Sequence, residues 1–158
     1  MFFKRKISVS TYCSTRLDLL FSAEQADRWL QLKRSWPDPA VVGVDDDLYL
    51  AHLRAAHIEL LSMVITKQYR NINLCMEAGT FIEKYLNDRN VSKIKTLIQQ
   101  YNRALGSSPI DSILAMAQSM ASYLCQNECS QESILAFREQ FYAAVESYRS
   151  DFKEVKLT

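Results

Sequence analysis

Residues 45–86 read DDDLYLAHLRAAHIELLSMVITKQYRNINLCMEAGTFIEKYL, and this stretch decides the fold. Apolar residues recur at Leu50, Leu53, Ile58, Leu61, Val64, Ile65 and Tyr69, then at Ile72, Met76, Ile82 and Leu86. Three- and four-residue steps of this kind mark one face of an α-helix. Asp45, Asp46 and Asp47 stand where a helix presents its positive end, so they mark a start. The segment is either one helix of about 40 residues or two helices jointed around Arg70-Asn71-Ile72-Asn73. Gly79 lies on the apolar stripe, a position that implies close approach of a neighbouring helix.

The same period extends outward in both directions. Ser22-Ala23-Glu24-Gln25 matches a capping box, in which a hydroxyl takes the amide three residues on. A helix is expected over 15–35, with a joint at Ser22 as one reading. Trp36-Pro37-Asp38-Pro39 ends it, because proline cannot continue the hydrogen-bond ladder. Val91, Ile94, Leu97, Ile98, Tyr101 and Leu105 predict a helix closed by Gly106. Ser108-Pro109-Ile110-Asp111 opens another over 109–126, with Ser108 as cap and Pro109 at its first position. That helix carries Ala115, Ala117, Ser119, Ala121 and Ser122, small residues that suit a central place. Ile134, Phe137, Phe141, Ala144, Tyr148 and Val155 give a last helix over 131–155.

The chain is therefore expected to be all-α, a bundle of about five to six helices with long ones near 46–86 and 131–155. Its 158 residues suit a single domain. Residues 14–158 form that helical domain. Residues 1–13 precede it as an N-terminal arm, read as partly ordered or as an edge strand through Ile7, Val9 and Thr11. Only three glycines and three prolines occur, against roughly 19 at average usage. That scarcity favours helices over strands and turns. It also removes glycine-rich phosphate loops and the GxSxG nucleophile turn.

Net charge is +1, but it alternates along the chain. Residues 1–35 and 67–105 are each net +4, 36–66 is net −4 and 106–158 is net −3. Alternation of this kind suits helices that pair with oppositely charged neighbours. Residues 7–14 are too polar for a signal peptide, and no 18-residue run is uninterruptedly apolar, so neither export nor a membrane span is expected. The expected location is the cytoplasm. There Cys13, Cys75, Cys125 and Cys129 would be reduced. Cys125 and Cys129, four apart, make at most half a zinc site, with a redox role as the alternative to plain buried thiols.

The only histidines are His52 and His57. Five apart, they fall on different faces of a helix and miss the four-residue spacing of a paired zinc ligand. No metal and no resident cofactor is implied. The leading functional expectation is a non-enzymatic protein acting in protein–protein interaction or regulation, as a homodimer through the last helix. Its candidate interaction residues are Phe141, Tyr148 and Phe152, with Met116 and Met120 lining a groove. Two rivals stand beside it. One is a small-ligand or cofactor site on His57. The other is nucleic-acid binding through 84–103, with Lys84, Arg89, Lys93 and Lys95 on phosphates.

Overall fold

The computed structural model describes residues 3–108, 110–126 and 128–158. In chain order the elements are β1 (Arg5–Ile7), α1 (Val9–Leu20), α2 (Ala23–Arg34), α3 (Pro39–Val42), α4 (Asp46–Tyr69), α5 (Ile72–Asp88), α6 (Ser92–Ser107), α7 (Ser112–Cys125), α8 (Gln131–Glu154) and β2 (Val155–Leu157). The protein is an all-α bundle. Its only sheet among the described residues is one short parallel pair, with Arg5 opposite Val155 and Ile7 opposite Leu157.

Among the described residues eight helices replace the expected five to six, for local reasons. Ser22 accepts a hydrogen bond from the Gln25 amide at 3.2 Å and starts α2 afresh, so the 15–35 helix is two. Asp38 accepts from the Ala40 amide and caps the four-residue α3, with Pro39 at its first position. Arg70 takes a left-handed conformation (φ 45°), and the Asn71 side chain accepts from the amides of Asn73 and Leu74. The 45–86 segment is therefore two helices, jointed where the sequence allowed.

The N-terminal arm is also corrected. Ser8 accepts from the Thr11 amide and begins a helix at Val9, so only Arg5–Ile7 is strand. Val9, Tyr12, Cys13, Leu17 and Leu20 are its buried face. A three-residue alternation had masked that helical period. At the other end α8 stops at Glu154, because Val155 turns extended to pair with β1. Asp111, not Ser108, caps α7, accepting from the Leu114 amide at 2.8 Å; the expected role of Pro109 lies outside the described residues. α6 continues through Gly106 to Ser107 instead of closing there.

The centre of the bundle is α4, not the small-residue helix α7. α4 touches α1, α2, α5, α6, α7 and α8, while α7 packs chiefly between α6 and α8. Nine apolar residues of α4 from Leu50 to Ile65 are buried. Alone among the described helices, α4 is long and apolar enough to cross a membrane, yet 67% of its apolar window is buried inside the bundle. Its hydropathy is that of a helix covered on all sides.

Gly79 is not a close-packing site. A Cβ built there would meet nothing within 4 Å, and the residue borders a 320 Å³ cleft with Ser62, Ile82 and Ile98. Gly79→Ala should therefore stabilise the protein by about 0.5–1 kcal/mol, through helix propensity alone. Urea unfolding should show a higher midpoint at unchanged slope. A lower midpoint would mean that a neighbouring backbone does press on this position.

Candidate binding furrow between α2 and α8

α2 rests on α4, α1 and α3, and α8 rests on α4 and α7. Between α2 and α8 lies a furrow. Gln25, Arg28 and Trp29 of α2 face Ala144, Ser147 and Tyr148 of α8. Further along, Leu32 and Ser35 face Ala136, Glu139 and Gln140. The two helices therefore run antiparallel along the furrow. Its floor is aromatic. Trp36 stacks on Phe137 with ring centroids 4.9 Å apart, Trp29 lies 5.1 Å from His57, and His57 meets Phe141 edge-on at 6.2 Å.

The upper chamber is an open cleft of about 590 Å³. Asp38 organises it. Its Oδ2 accepts from the Ser130 amide at 2.8 Å and the Ser133 hydroxyl at 2.7 Å, and its Oδ1 accepts from the Ala40 amide. The Trp36 indole donates to Ser133 Oγ at 3.0 Å. Ser130 in turn caps α8 by accepting from the Ser133 amide. One carboxylate thus ties the proline-bounded turn after α2 to the start of α8. The Ser130 amide and the Ser133 hydroxyl hold it down to about 2. These donors are neutral, so its charge is not cancelled. The walls carry three carboxylates, Asp38, Glu132 and Glu139, and no basic side chain among the described residues. Leu32 stands half exposed at the rim, at 48%.

The lower chamber is smaller, about 290 Å³, and opposite in character. Arg16 and Arg28 lie on its walls with Gln25, Ser147 and Tyr148, and no carboxylate lines it among the described residues. Arg16 donates from Nε to Asp151 Oδ2 at 2.8 Å and sits over the Tyr148 ring at 5.3 Å. Arg28 pairs with Glu24 one turn earlier, on the open surface. His57 forms the floor. Neither its ring nitrogens nor the Tyr148 hydroxyl hydrogen-bond to another described residue. Burial holds His57 down to about 4, so the ring is neutral near pH 7.

The sequence-predicted site residues divide sharply. His57 lies in this furrow. Met116 and Met120 are fully buried, and Phe141, Tyr148 and Phe152 are at most 4% exposed. They are core, because α8 turns this seam onto α4 and α7; they form no exposed interaction surface, contrary to expectation. The exposed large apolar residues of α8 are Leu135 and Tyr142. Among the basic candidates, Arg89 pairs with Asp18 and lies 3.6 Å over the Tyr85 ring. Lys95 donates to Asn87 and pairs with Glu83. Lys84 and Lys93 make no ion pair among the described residues. The reduced state expected of Cys125 and Cys129 is not observed: they are joined as a disulfide. Gln126 turns left-handed at the end of α7 and leaves their Cα atoms 5.6 Å apart, within bonding range. Cys13 and Cys75 are free. Among the described residues no three His, Cys, Asp or Glu side chains converge to hold a metal.

Sequence reasoning missed Asp38, Trp36, Arg16 and Arg28. The one local signal is Trp36-Pro37-Asp38-Pro39, a turn carrying a large aromatic and an acid, whose prolines by themselves mark only a helix stop. His52 is drawn in on another face of α4. Its Nδ1 lies 2.7 Å from the Tyr101 hydroxyl, and burial, with Lys93 adding, holds it down to about 4 as well.

Both histidines are thus harder to protonate folded than unfolded, where the usual value is about 6.5. Their contribution to stability is complete above that value and is lost as pH falls toward 4. The melting temperature should drop across this window. His52→Gln and His57→Gln should each make the drop shallower between pH 6.5 and 4. Variants as steep as the parent would contradict the burial of these rings.

Comparison with protein-family models, with curated proteins and with solved structures finds no match to this chain.

Proposed function

We propose that this chain is a non-enzymatic protein-interaction module, and that its upper chamber receives a basic, apolar segment of a protein partner. The observation that carries this reading is the charge of that chamber: three carboxylates and, among the described residues, no cation around an aromatic floor. Lysine or arginine of a partner would meet Asp38, Glu132 and Glu139, and a bulky apolar side chain would lie against Leu32, Trp36 and Ala136. Like-charged partners are excluded by the same walls, which favours specificity over raw affinity. The chamber is also pre-organised. Pro37 and Pro39 restrict the turn, and the Asp38 network holds it to α8. Little ordering is then left for binding to impose.

The probe is a blocked eight-residue peptide, Leu-Lys-Lys-Leu-Leu-Lys-Lys-Leu, beside its counterpart with glutamate at each lysine. Calorimetry should detect saturable binding of the lysine peptide, weaker at high salt, and at least about tenfold weaker binding of the glutamate peptide, the scale expected for charge-assisted hydrogen bonds. The exposed double change Glu132→Lys with Glu139→Lys should abolish the difference. Equal binding of the two peptides, or none at about 1 mM, would overturn the reading.

A further inference from the structure

The lower chamber lies beyond this reading and has its own chemistry. Every polar side chain on its walls can donate a hydrogen bond: two guanidiniums, the Gln25 amide, and the Ser147 and Tyr148 hydroxyls. No carboxylate among the described residues balances them from within. We infer that this chamber binds a small organic anion, a carboxylate or phosphate carried on a flat apolar body of about benzene size.

Volume, shape and unsatisfied chemistry agree. About 290 Å³ is close to twice the roughly 150 Å³ cavity that admits benzene, which leaves room for a charged group. Trp29 and Leu20 offer an apolar wall, and the Trp29 ring stands 5.1 Å from His57. Arg16 is held in place by Asp151 through Nε and one terminal nitrogen, leaving its other terminal nitrogen free to donate. Arg28 is bound only to Glu24, an exposed pair of the kind that contributes little and exchanges readily. The His57 ring and the Tyr148 hydroxyl, which have no partner among the described residues, supply a further donor each. An anion seated here would also favour the protonated His57 ring. The groups facing it are Arg16 from α1, Arg28 from α2 and Tyr148 from α8, with Asp151 reached only through Arg16.

Calorimetric titration of the intact chain tests this with benzoate, phenyl phosphate and uncharged benzamide. At least one anion should bind saturably below about 10 mM, and about tenfold or more tightly than benzamide. Which anion wins distinguishes carboxylate from phosphate. Arg28→Ala, an exposed change that leaves the core intact, should weaken the better anion several-fold. His57→Asn should do the same, and should remove the strengthening of binding expected as pH falls from 7 to 5. Glu139→Gln, in the upper chamber, should leave anion binding unchanged, so failure here is distinguishable from failure of the peptide reading. Benzamide binding as well as the anions, no saturable binding, or an Arg28→Ala variant equal to the parent would each overturn the inference.

Discussion

The constraint on which this structure depends is that α4 has no face to leave in water. Leu50, Leu53, Ala55, Ala56, Ile58, Leu60, Leu61, Val64 and Ile65 are buried around its whole circumference. At about 25 cal/mol per Å² of apolar surface, exposing even one side of such a helix costs several kcal/mol. Six other helices are therefore drawn onto it. The two histidines, on different faces, are drawn in as well, one onto Tyr101 and the other onto Trp29. A single helix with buried apolar residues on every side thus sets both the packing order and the protonation state of the only imidazoles.

The furrow follows from the same constraint. α2 and α8 are each anchored to α4, and a gap floored by aromatic rings remains between them. Its polarity has a local origin. α8 begins at the upper chamber, where its N-terminal positive end favours Glu132 and the Asp38 carboxylate. Its later turns carry Ser147 and Tyr148 past Arg16 and Arg28. Helix chemistry accounts for the presence of acids at one end. It does not account for the lack of a cation on the upper walls or of a carboxylate on the lower walls among the described residues, and the ligand preferences proposed for the two chambers rest on that lack.

Much of the fold was legible because it is written in periodicity. The stripe from Leu50 to Leu86, the Ser22 cap and the Phe137–Phe141–Ala144–Tyr148 seam all mark helices where helices stand. What the seam could not reveal was depth. The spacing that makes Phe141 and Tyr148 amphipathic is the same for a core face and a docking face, and only the packing of α8 on α4 and α7 decides between them. Gly79 misled for a related reason: a stripe glycine marks close approach only where a neighbour is near, and here the space is open. The site was less legible still. Arg16, Arg28, Asp38 and His57 come from four separate segments, and nothing local joins them. The joint at Arg70 and the helical start at Val9 depend on single side-chain caps that compete with weak alternations.

One furrow with two chambers of opposite lining charge should sort two probes by charge. The chain has two tryptophans, Trp29 in the lower chamber and Trp36 in the upper. A two-dimensional ¹⁵N–¹H spectrum therefore carries one indole reporter for each. Titration with the lysine peptide should move the Trp36 indole signal and leave Trp29 in place. Titration with benzoate or phenyl phosphate should do the reverse. Both probes moving the same indole, or neither moving one, would contradict the account.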